Sequence, residues 1–167
     1  MQLQKEVIIN APASKVWETL GINYASVGDW ASIINESGER NNSAGELTGR
    51  TCESSYGAVK EMITAFDEDA WLLSYKADGL PAMFKEGGNT WQVHALDANR
   101  SKVTMDLKMK LAPLPGFFMG WMIKGKMSKD TDQLMLDLKQ FVETGQPTAA
   151  KLKSDARYFK KKSKNAA

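Results

Sequence analysis

Val103, Met105, Leu107, Met109 and Leu111 alternate with Lys102, Thr104, Asp106, Lys108 and Lys110. A period of two gives a strand over 102–111 one dry face and one polar face, as in a sheet with one side in water. Trp71-Leu73-Tyr75 and Trp91-Val93-Ala95 repeat the alternation less cleanly. Runs rich in β-branched and aromatic residues, bounded by turn formers, predict further strands at 2–10, 33–40, 49–56, 58–66, 71–77 and 90–96. The connections predicted are Asn41-Asn42-Ser43, Gly57, Asp67-Glu68-Asp69, Asp78-Gly79-Leu80-Pro81 and Asp97-Ala98-Asn99-Arg100. After the first strand, Ser14 is the expected cap of a short helix over 15–20 that turns Val16, Trp17 and Leu20 inward. A second short helix or turn is expected around 24–30, separated from it by Gly21 and Asn23.

A sheet with one apolar face needs a cover, and residues 115–144 supply one. Ile123, Met127, Thr131, Leu134, Leu138 and Phe141 recur at spacings of four, four, three, four and three, one stripe of a helix. Pro115 suits its first turn, and Gly145 with Pro147 its end. Thirty residues at 1.5 Å each reach roughly 45 Å, enough to cross a sheet. The predicted class is therefore α+β: a curved antiparallel sheet of about seven strands gripping a long C-terminal helix, with two short helices after strand 1.

Composition and charge narrow the classes. The chain has 167 residues, one domain's worth with a tail. A single cysteine, Cys52, excludes an internal disulfide and a multi-cysteine zinc site, and a single histidine, His94, excludes a His cluster. No metal or cofactor is expected. The first residues mix acid and base before any apolar run, and the longest uncharged stretch, 13 residues from Leu111 to Ile123, is too short to span a bilayer. A cytoplasmic location is the expectation.

Residues 1–145 hold 15 Lys/Arg against 19 Asp/Glu, whereas 146–167 hold 7 against one acid, Asp155. The boundary predicted is a ligand-binding domain over 1–145 and a basic tail over 146–167. With little apolar content to offset its ordering entropy, that tail is expected frayed or weakly helical. A solubilising role is favoured for it over contact with an anionic surface, and no specific nucleic-acid binding is expected.

The order of these elements and several local words resemble the START/Bet v 1-like superfamily, in particular its bacterial polyketide cyclase/dehydrase and lipid-transport branch. The words are VIINAPASKVWETL from Val7, Trp30, Gly45 to Arg50 taken loosely, VKEMITAFDEDAWLLSY over 59–75, the Gly88 to Val93 region and the terminal amphipathic helix. The resemblance spans 3–144. Ala31 stands where that family often has a proline after its Trp, and the basic tail is outside the pattern. The resemblance implies a helix-grip fold whose sheet and long helix keep a hydrophobic cavity for a lipid, sterol, polyketide or other apolar molecule. One scaffold of this kind hosts carriers, cyclases and partner-binding modules.

Candidate wall residues follow from the pattern. Trp30 and Trp91 are flat apolar surfaces, and Met105, Met109 and Met127 are adaptable ones. Ile123 and Trp121 belong to 117–123, apolar around nearly its whole circumference, more than one sheet requires. That surplus, beside Pro113, Pro115, Gly116 and Gly120, places the expected cavity mouth there; packing on the 80–85 loop explains it equally well. Glu61 shares a strand side with Val59, Ile63 and Ala65. Facing inward, it is a carboxylate able to orient a ligand hydroxyl or move a proton; facing outward, it is a cross-strand ion pair. Arg50 and Tyr75 are the other polar handles. Gly120 to Lys126 imitates a phosphate loop, but Met127 stands where Ser or Thr must hold magnesium, and the segment is helical. His94 is expected in solvent and Cys52 as a core filler.

Three functions stay open. Binding or transport of an apolar small molecule comes first, because no nucleophile–base pair is legible. A polyketide cyclase or dehydratase using Glu61, Tyr75 or Arg50 as weak catalytic candidates is the alternative. A protein-partner module acting through the helix start or the tail is the third.

Overall fold

The computed structural model describes residues 1–54, 57–112 and 117–165, without the side chains of 117–119. Residues 55–56 at the end of an expected strand, Pro113, Pro115 and Gly116 of the expected mouth, and the side chains of 117–119 lie outside what is described.

Seven strands form one antiparallel sheet: β1 Gln2–Ile9, β2 Glu36–Asn41, β3 Leu47–Ser54, β4 Gly57–Asp67, β5 Leu72–Asp78, β6 Phe84–Asp97 and β7 Arg100–Leu111. Their order across the sheet is β1-β7-β6-β5-β4-β3-β2, so the first strand closes onto the last. Leu3, Val7 and Ile9 sit opposite Leu107, Val103 and Ser101. That pairing puts the apolar alternation of both strands on one face, where Val103, Met105, Leu3 and Ile9 are buried. Register shifts in β4 and twice in β6 bend the sheet.

The bulge in β4 alters the expected faces. Ile63 pairs with Tyr75, but after the shift Phe66, rather than Ala65, pairs with Leu73. Phe66 therefore joins the inner side, its ring 5.3 Å from that of Trp17, and Ala65 is exposed. Trp71, expected to start β5, precedes it at φ 48°, in the left-handed region that closes the preceding turn.

The first helix, α1, runs Ala13–Trp17. Ser14 is inside it rather than capping it: the Pro12 carbonyl accepts from Lys15 and Val16 N–H, and no side chain caps the end. The chain then widens into a π-helical turn, Glu18–Ile22, with Asn23 N–H donating to the Glu18 carbonyl at 2.8 Å. Gly21 is needed there, since a Cβ would lie 2.5 Å from the Trp17 indole. A 3₁₀ segment, Tyr24–Asp29, follows. Strand β2 starts three residues later than expected because Ile34 N–H turns back to the Ala31 carbonyl.

The long helix α2, Phe117–Thr144, covers the sheet. Its burial is uneven. Thr131, Leu134, Met135, Asp137, Leu138 and Val142 are buried, whereas Ile123 and Met127 are half-buried and Trp121 and Met122 exposed. Lys5, on the inner side of β1, bonds Ser128 at 2.9 Å and pairs with Asp132. Near the other end, Lys139 donates to the Ile8 carbonyl.

The basic stretch expected as a frayed or weakly helical tail is one continuous helix, α3, Ala149–Asn165. Thr148 caps it, accepting from Lys151 N–H and donating to buried Asp137 of α2. Lys151 is 1% exposed, with Nζ 2.7 Å from both the Ile34 carbonyl and Asp155. Asn35 donates to Ser154 and Asp155 at 3.0 Å, and the Tyr158 hydroxyl lies 2.7 Å from Glu36 and Glu53. Lys162 also pairs with Glu36. Apolar burial is too small to order this helix; polar contacts to β2, β3 and the segment before β2 hold it instead.

Candidate functional site

The hairpin of β3 and β4 brings Arg50 and Glu61 directly opposite each other. Both point into the space between the sheet, the 3₁₀ segment and α2, and they are only 6% and 8% exposed. Arg50 Nε donates to Glu61 Oε2 at 2.7 Å, and Nη1 donates to the Tyr24 carbonyl at 2.6 Å. The Tyr24 hydroxyl donates to the same Oε2 at 3.0 Å. The guanidinium lies 4.0 Å from the Tyr24 ring centroid and 5.3 Å from that of Tyr75. Gly49 makes this approach of strands feasible, because a Cβ there would meet the Glu61 carbonyl at 2.0 Å.

Around the pair lies a cavity of about 50 Å³, lined by these groups and by Leu20, Val27, Trp30, Leu73, Trp91 and Leu134, among others. The space suffices for a few waters or a small group; typical ligand pockets run to about 300–1,000 Å³. A larger guest therefore needs the cover to move outward. Burial works against the charge of Arg50, yet Glu61 beside it holds its pKa above the ordinary value. Burial pushes Tyr75 up to about 12, helped by the Glu61 carboxylate, and pushes Tyr24 up as well. Both phenols are therefore hydrogen-bond donors at neutral pH and not bases. Burial also raises the Cys52 thiol to about 12, with Glu61 adding to it.

Five of the residues singled out from the sequence, Trp30, Arg50, Glu61, Tyr75 and Trp91, meet on this wall. Glu61 takes its inward side, and as an ion pair rather than an isolated carboxylate. Met105 is buried in the core, and Met109 lies beside Gly87 in a larger, open depression of about 620 Å³ with Lys76, Glu86, Thr90 and Lys108. Trp121 is 77% exposed, and neither it nor Ile123 nor Met127 lines the cavity. Two functional candidates were not anticipated. Tyr24 carries no sequence signal beyond its place after a helix break. Asn89 is buried, donates to the Tyr75 hydroxyl at 3.3 Å, and leaves its own Oδ1 without a partner. Among the described residues no three His, Cys, Asp or Glu side chains converge as metal ligands, and no helix is long and apolar enough to cross a membrane.

The polyketide cyclase/dehydrase and lipid transport family matches residues 1–143. No curated protein sequence matches the chain. Solved structures share its fold at low identity. The protein XoxI from Bacillus cereus is 17% identical, with a TM-score of 0.68 over 83% of this chain and 93% of its own. A START superfamily protein from Mycobacterium smegmatis is 12% identical, TM-score 0.62, covering 84% and 98%. The Zhui aromatase/cyclase from a Streptomyces species is also 12% identical, TM-score 0.60, covering 89% and 99%. The arrangement is the helix-grip fold of Bet v 1-like proteins, and α3 lies beyond the matched residues.

Proposed function

This chain belongs to the polyketide cyclase/dehydrase and lipid transport family, and from that premise we propose that it binds an apolar small molecule carrying one polar oxygen. The observation that carries the reading is the buried Arg50–Glu61 pair on an otherwise apolar wall. A buried ion pair contributes little net stability, because desolvation offsets its attraction. Its use here is as a polar anchor. Glu61 Oε2 is already taken by Arg50 and Tyr24, so a ligand hydroxyl finds Oε1, while a carbonyl oxygen accepts from the guanidinium or a phenol. Trp30, Trp91 and Leu134 receive the apolar body, at about 25 cal/mol per Å² removed from water before ordering costs.

The alternative, catalysis of cyclase or dehydratase type in the same cavity, needs a group that takes up a proton. Glu61 is the one carboxylate among the described lining residues. Activity lost in Glu61→Gln with binding kept is the result that favours it.

The binding reading is tested with 2-naphthol and naphthalene, followed by quenching of tryptophan fluorescence. The wild type should bind 2-naphthol at least about tenfold tighter than naphthalene, the worth of one buried polar contact. The double variant Arg50→Leu/Glu61→Leu should bind both alike. Equal affinity of the wild type for the two probes, or binding of neither, contradicts the proposal.

A further inference from the structure

Along α3 the side chains sort into three rows, each with spacings of four, three and four. Lys151, Asp155, Tyr158 and Lys162 form the row docked on the body. Leu152, Ala156, Phe159 and Ser163 form the next row, all exposed, with Leu152 at 58% and Phe159 at 46%. Lys153, Arg157, Lys160 and Lys164 form the third, with Lys161 beside them, and every one is exposed. Of the helix's seven cations, two hold it in place through ion pairs. Among the described residues no ion pair engages the other five. A segment that merely solubilises has no need to separate its cations by face or to hold two large apolar side chains in water beside them.

We propose that α3 seats the protein on an anionic lipid bilayer. The basic row faces the headgroups, and Leu152 and Phe159 enter the interface at its edge. The helix is about 25 Å long and presents this strip along its whole length. The remainder of the chain carries more acid than base, so it is repelled by such a surface, and attraction through α3 alone fixes which side faces the membrane. The apolar row favours a bilayer over nucleic acid, whose phosphate backbone gives Leu152 and Phe159 nothing to bury against. This inference is independent of what the cavity holds.

The test is co-sedimentation of the full chain with vesicles of phosphatidylcholine alone, and of phosphatidylcholine with about one third phosphatidylglycerol. Binding is expected to the mixed vesicles only, and to weaken at least about tenfold between roughly 0.05 and 0.5 M salt. Reversing Lys153, Arg157, Lys160 and Lys164 to Glu should abolish it, with circular dichroism checking that the helix persists. Phe159→Ser, which keeps every charge, should weaken it about threefold to tenfold. Four results overturn the proposal: no binding to either vesicle, equal binding to both, binding of a helical charge-reversed variant as tight as wild type, or tighter capture by duplex DNA than by the mixed vesicles. The salt titration of the wild type decides the matter if the charge-reversed variant does not fold.

Discussion

Arg50 and Glu61 hold two charges out of water and satisfy them largely with each other and Tyr24. Removing one partner strands the other. Arg50→Leu should therefore cost about 3–5 kcal/mol in urea unfolding, whereas Arg50→Leu/Glu61→Leu should lie within about 2 kcal/mol of wild type. A single variant no less stable than the double one would show that the pair is not desolvated as described. The same burial makes the fold lose stability in alkali. Cys52 is raised from 9.0 to about 12 and Tyr75 from 10.0 to about 12. Both folded-state values exceed the unfolded ones, so above pH 9 the unfolded chain loses protons that the folded chain keeps. Their stabilisation is complete below about pH 9 and drains away as pH rises toward 12. Unfolding free energy measured across that range should fall, and Cys52→Val should flatten the early part of the slope. An unchanged slope in that variant would remove the thiol from the account.

At the scale of elements, two glycines make opposite demands. Gly49 lets β3 approach β4 where a Cβ would strike the Glu61 carbonyl. Gly49→Ala should separate the strands at the site and destabilise by several kcal/mol, of the order seen for overpacking. Gly125 has nothing within 4 Å of a Cβ and sits inside α2. Gly125→Ala should stabilise by about 0.5–1 kcal/mol, and a melting curve of each variant checks the pair. Much of this architecture is written in period and punctuation. The alternation of β7 and the stripe of α2 depend only on local spacing. The Arg50–Glu61 contact was not written there: a turn at Gly57 sets Arg50 opposite Thr64, whereas the strands pair Ser54 with Gly57 and so Arg50 with Glu61. Three further features were not. The bulge after Ile63 reverses faces without any sequence mark, the Gly87-Gly88 pair hides the start of β6, and Tyr24 reaches the site through a π-helical turn. The docked row of α3 was illegible for another reason: its acceptors, Glu36 and Glu53, stand more than a hundred residues earlier.

Over the whole molecule, α2 is anchored at its C-terminal half and lies more open toward Trp121. The candidate site sits at the junction, with Leu134 the helix residue on its wall. The cavity is small at rest, and the less buried half of the helix is the part of the cover with least to lose by moving. Binding in that cavity, on the Arg50–Glu61 anchor, is the claim on which the functional reading stands. It is tested most directly by titrating isotope-labelled protein with 2-naphthol while observing the five tryptophan indole signals and the Arg50 Nε–H signal by NMR. The Arg50, Trp30 and Trp91 signals should shift together and saturate at one equivalent. Movement confined to the exposed Trp121, or no movement at all, would contradict it.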